Sequence, residues 1–162
     1  MATKTDFTTE EWAQLLRAPG WASIAVVAAS PSGPLGIVKE LFAAGKVLAE
    51  AKGGAQNPLV SALVGDLATS DGRRLAQPTE ASGKSPEEIC AIAVDSLKQV
   101  AALLDGKAGS DAEGFKRWLA SLAERVAAAS KEGGFLGIGG TRVDDKEAAA
   151  IANIGNALGI KA

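Results

Sequence analysis

The sequence predicts an all-α protein, a compact bundle of about six or seven helices with a glycine-rich loop before the last one. Three observations lead there. Alanine dominates the chain while aromatic residues make up only 4%, and alanine is the best helix former. Helix-start signals recur along the chain. No stretch of four or more residues alternates apolar and polar side chains between turn signals, and Phe135 to Ile138 is the only short strand candidate. The 162 residues fit a single domain with a sizeable core.

The elements follow in order. Thr8 and Glu11 form a T-x-x-E capping box. Trp12, Leu15 and Leu16 share a face beyond it, and Ala18-Pro19-Gly20 is expected to stop that helix. Trp21 to Ala29 is apolar almost all round and reads as a short buried helix of its own. Ser30 to Pro34 is a rigid corner. A third helix is expected from Pro34 to about Lys52, striped by Leu35, Val38, Leu41, Phe42, Gly45 and Leu48, with Gly53-Gly54 ending it.

Asn57-Pro58 caps and opens a helix to about Leu67. Polar and turn residues dominate from Thr69 to Ser85, so an exposed connection is expected near 69–85. Ser85-Pro86-Glu87-Glu88 joins cap, proline and capping-box glutamate. Ile89, Ile92, Ala93, Leu97, Val100 and Leu104 give that helix one apolar face, and Asp105-Gly106 closes it. Ser110 and Glu113 repeat the S-x-x-E signature, and Phe115, Trp118, Leu119, Leu122 and Val126 stripe the next helix. Asp144 and Glu147 start the last helix, Ile151, Ile154 and Leu158 are its core face, and Gly159 is its C-cap.

The sharpest break in composition is Ser130 to Glu147, where Gly133, Gly134, Gly137, Gly139 and Gly140 surround Phe135, Leu136 and Ile138. As a phosphate cradle it fails, because the phosphate-loop lysine is missing and Asp144 and Asp145 would repel an anion at the helix start. The expected role is a structural loop in which the three apolar side chains plug into the bundle. Asp144, Asp145 and Glu147 are hard oxygen groups and the metal candidates of the chain. Each also has a capping or dipole role, so no metal site is expected.

Other chemistries are excluded by composition. The chain has no histidine, and Cys90 is its single cysteine, so neither a histidine-assisted nucleophile nor a zinc site is available. Cys90, beside Ile89 and Ile92, reads as a packed, inert thiol. The formal net charge of −2 gives no basic field for nucleic acid. Arg73, Arg74 and Lys84 are the densest basic spot and read as a solvated loop. Trp12, Trp21, Phe42, Phe115 and Trp118 read as core anchors, with Trp12 and Trp21 also suited to a partner or lipid surface. Acidic Asp6, Glu10 and Glu11 stand where an export signal would be basic, and a lone cysteine suits a reducing compartment, so a cytoplasmic location is expected.

From Val126 the chain reads V-x-x-A-S-K-E-G-G, then V-D-D-K-E, then I-A-N-I-G-N-A-L-G-I. This tail resembles TerB-like domains of the tellurite-resistance family, with Glu132 where that family has an aspartate and with Gly134 to Thr141 inserted. The resemblance implies an all-helical fold, a link to bacterial stress responses and membrane-linked complexes, and metal binding.

The function expected is that of a small cytoplasmic, bacterial-type helical protein with a binding or structural role, without catalysis and without a cofactor. A stress-response or membrane-surface adaptor is the alternative, and an enzyme of unspecified type comes third. The partners expected are a protein of unspecified kind and a second copy of the chain. The homodimer contact would lie near Trp21, Ile24 and Val27, because a segment apolar on most faces must be covered on all of them.

Overall fold

One helix, α1 (Thr9–Ala29), touches every other α-helix among the described residues, and the rest of the bundle is laid around it. A computed structural model describes residues 1–29, 56–132 and 145–160. Five further helices follow α1: α2 (Pro58–Leu67), α3 (Ser70–Leu75), α4 (Pro86–Lys107), α5 (Asp111–Glu132) and α6 (Asp145–Ala157). Short 3-10 turns lie at Lys4–Asp6 and Thr79–Ala81. There is no strand among the described residues. The protein is a compact all-α bundle.

Pro19 does not stop α1, contrary to the expectation from Ala18-Pro19-Gly20; it lies inside a single helix of 21 residues. A mid-helix proline costs about 3 kcal/mol. Burying a large apolar side chain returns roughly 1.5–3 kcal/mol, and Trp21, Val26 and Val27 are all buried beyond the proline. Tertiary packing therefore outweighs the local break. The Ser23 hydroxyl donates to the Pro19 carbonyl at 2.8 Å, which satisfies a buried polar side chain within the helix. At Gly20 a Cβ would lie 3.7 Å from the Ala76 carbonyl oxygen, an ordinary contact, so packing there does not demand glycine.

Helix α1 packs most extensively on α4 and α5, then on α6. That surround explains why Trp21 to Ala29 is apolar almost all round: it is the second half of the central helix. The stripes expected on the partners are the ones buried. Phe115, Trp118, Leu119 and Leu122 of α5, Leu97 and Leu104 of α4, and Ile154 of α6 have no exposed surface. Phe115 meets Trp118 edge-on, with ring centroids 5.5 Å apart.

The caps follow the residue chemistry. The Asn57 side chain accepts from the Leu59 and Val60 amides, and its amide donates to the Asp111 carbonyl at 2.9 Å, tying the start of α2 to that of α5. Ser85 and Glu88 close a reciprocal capping box on α4. Lys116 pairs with Asp105 at 2.5 Å across the α4–α5 hairpin. At the end of α6 the Ile160 amide reaches the Gly155 carbonyl and the Gly159 amide reaches Asn156, with Gly159 at φ +70°. Those two bonds are a Schellman cap, which needs a glycine at that place.

The segment 69–85, expected as a connection, is largely exposed yet partly helical, because Thr69 caps α3 through the Gly72 amide at 3.0 Å. The helix expected from Pro34 to Lys52, with Phe42, and the loop at Gly133, Gly134, Phe135, Leu136, Gly137, Ile138, Gly139 and Gly140 lie outside the described residues.

Candidate functional site

The candidate site is a cleft of about 490 Å³ where the N-terminal segment and α1 meet the α2–α3 corner. Its floor is built from the start of α1. Thr8 and Glu11 exchange the two bonds of the expected capping box, at 2.7 and 3.2 Å. Phe7, the residue before the cap, packs on Trp12 in the first turn with ring centroids 5.9 Å apart. This is a hydrophobic staple, which fixes the angle at which the chain enters the helix and so aims the Trp12 ring.

The opposite wall carries Asp66, in the last turn of α2. The Asp66 carbonyl accepts from the Thr69 amide at 2.9 Å and the Thr69 hydroxyl at 2.7 Å. Helix α3 then lies so close that a Cβ on Gly72 would stand 1.9 Å from that carbonyl oxygen. Only glycine permits this corner, which fixes the backbone of Asp66.

One carboxylate oxygen joins the two walls. Asp66 Oδ2 accepts from Trp12 Nε1 at 2.7 Å and from Lys4 Nζ at 2.6 Å. The same ammonium lies 5.8 Å from the centroid of the Trp12 ring, within cation–π range. Lys4 arrives on the 3-10 turn Lys4–Asp6, which Thr3 and Asp6 close with a capping box of their own. The Ala2 amide donates to Asp111 at 2.8 Å and pins the chain start to α5.

The Lys4 ammonium, together with the Trp12 indole, holds the Asp66 carboxyl below its ordinary pKa, against the opposing effect of partial burial. Asp66 is therefore ionised at neutral pH and is a poor proton acceptor. Two carboxylates, Asp66 and Asp71, and one ammonium, Lys4, line the cleft beside the hydroxyls of Thr8, Thr9 and Thr69. Trp12 itself is buried, with Phe7 and the Lys4 ammonium against its ring, so the cleft presents a fixed negative charge and rim hydroxyls over an aromatic floor.

The other expected site residues are not brought together here. Trp21 and Val27 are buried within the chain and Ile24 is half-buried, so most of that face is covered by this chain's own helices. Packing within one chain, the other cover open to an apolar segment, thus accounts for the burial of Trp21 and Val27. Asp145 is exposed while Glu147 is buried, as their spacing of two residues on one helix requires; Asp144 lies outside the described residues. No group of three or more His, Cys, Asp or Glu gathers to hold a metal ion among the described residues.

Cys90 is half-buried rather than packed away. Its thiol faces the Ala25 carbonyl at 3.6 Å, and burial, with Glu87 second, pushes its pKa up. Arg73 and Arg74 are exposed; Arg73 donates to the Ala68 carbonyl and Arg74 lies 3.7 Å from Asp71. No helix among the described residues is long and apolar enough to cross a membrane.

Trp12 is the buried core anchor that the sequence suggested, but its partners Asp66 and Lys4 were missed. The staple was available locally, as Phe7-Thr8-x-x-Glu11-Trp12. Asp66 carries no local signal, since its partner Trp12 is 54 residues away in the chain. No family model matches the chain, and no curated protein or solved structure matches it either. The likeness of its tail to TerB-like domains rests on the sequence alone.

Proposed function

We propose that this is a non-catalytic helical binding protein and that the cleft beside Trp12 is its recognition site. The observation that carries the reading is the Trp12–Asp66 pair, a buried indole that donates to an ionised carboxylate at the edge of the cleft, with the Lys4 ammonium over both. A mostly apolar hollow with a few fixed polar groups is the usual form of a ligand site, and about 490 Å³ lies within the usual range. Among the described residues Met1 is the only large hydrophobic side chain that is exposed.

The absence of catalysis is supported by the residues themselves. The chain has no histidine, the Cys90 thiol is pushed away from its reactive thiolate, and Asp66 is held in its weakly basic form. A cytoplasmic setting agrees with a single cysteine and no disulfide.

Ligand binding raises the unfolding temperature by mass action. A fragment library screened by thermal shift is expected to yield hits that stabilise the wild-type protein and lose their effect in Asp66→Ala. Hits that stabilise both proteins equally would place binding elsewhere and overturn the assignment.

A further inference from the structure

Resting on that reading, we propose that the cleft takes a primary alkylammonium, the side chain of a lysine presented by a partner chain, in the seat that Lys4 occupies in this structure. The seat is visible because the protein fills it with its own group. Lys4 Nζ is 2.6 Å from Asp66 Oδ2 and 5.8 Å from the Trp12 ring centroid. Carboxylate and aromatic face together are the chemistry that recognises an organic cation.

Three features make Lys4 a replaceable occupant. Its side chain is 56% exposed, and exposed ion pairs hold weakly. It rides on a three-residue turn that Thr3 and Asp6 close without it. Its departure leaves the seat standing, because the Trp12 indole still donates to Asp66 at 2.7 Å and the Asp66 carbonyl is still fixed by Thr69.

The geometry favours an ammonium over a guanidinium. The indole and the resident ammonium converge on a single carboxylate oxygen, which makes a seat for a point charge, whereas arginine gains most from a two-oxygen fork. Once Lys4 swings out, Asp66 is left as the one lining carboxylate without a cation beside it, Asp71 being paired with Arg74.

The test is a chemical-shift titration of the full chain with a capped Ala-Ala-Lys-Ala-Ala peptide. Wild type, Lys4→Ala and Asp66→Asn are compared, with folding of each checked by circular dichroism. Removing the internal competitor should tighten binding about tenfold in Lys4→Ala, with shifts at Trp12, Thr69 and Gly72. Acetylating the peptide lysine, or Asp66→Asn, should abolish it, and an arginine peptide should bind more weakly. Equal affinity in wild type and Lys4→Ala, or survival of binding after acetylation, overturns the proposal. If neutral fragments shift these residues while the lysine peptide does not, the binding site stands and the ligand class falls. If no probe of any class moves them, both fall.

Discussion

Gly72 shows how much of this site hangs on one residue. Its backbone φ is not positive, so the need for glycine is steric: any Cβ meets the Asp66 carbonyl. Gly72→Ala should cost more than about 3 kcal/mol, beyond ordinary overpacking, because the obstruction is backbone and has no rotamer to yield. Urea titration reads it, and a loss below about 0.5 kcal/mol, the surface range, would mean that the corner is looser than described. Nothing in Ser70-Asp71-Gly72-Arg73 announces this, since glycine in a polar segment reads as a turn. The caps were legible at this scale because each is local: Thr8 with Glu11, Asn57 with its own helix, Ser85 with Glu88, Gly159 with the end of α6.

Helix α1 is where local reasoning fails and packing decides. Proline and glycine at 19 and 20 are a stop signal by propensity, yet Trp21, Val26 and Val27 beyond them are buried in a bundle in which α1 is the central helix. In this continuous helix Pro19 is a tolerated flaw. Pro19→Ala should then stabilise the protein by about 1 kcal/mol, the proline penalty reduced by lost contact and a looser unfolded chain. Chemical denaturation checks it, and a loss of more than about 1 kcal/mol would show that the chain needs a break there. The same burial answers the expectation about Trp21, Ile24 and Val27. A segment apolar on all faces needed covering, and the centre of the bundle covers most of it.

At the scale of the whole molecule, charge sets the pH response and the cleft sets the function. Asp66, Glu11, Glu88 and Asp6 all have depressed pKa values, from the Lys4, Lys107, Ser85 and Thr3 contacts respectively. A depressed carboxylate adds stability that is present above its unfolded value and lost as pH falls through its folded value. The chain has no histidine to titrate between pH 5 and 8. The urea midpoint should therefore be flat from about pH 8 to 5 and fall below about pH 4, the ordinary aspartate range. A step between pH 6 and 7 would point to a buried group outside this set. The fold class was legible because helix periodicity and caps are local properties. The site was not, because it joins residues from opposite ends of a long stretch of chain.

The most direct measurement uses the three tryptophans as reporters. Each indole N–H gives its own signal in a nitrogen–proton correlation spectrum. Trp12 Nε1 is bonded to Asp66 at the cleft, Trp21 is buried in α1, and Trp118 Nε1 is buried with no hydrogen-bond partner among the described residues. Titrating the wild-type protein with the fragments that stabilise it should move the Trp12 signal, saturably, and leave Trp21 and Trp118 in place. A Trp12 signal that stays fixed while Trp21 or Trp118 moves would contradict the assignment of the cleft as the binding site.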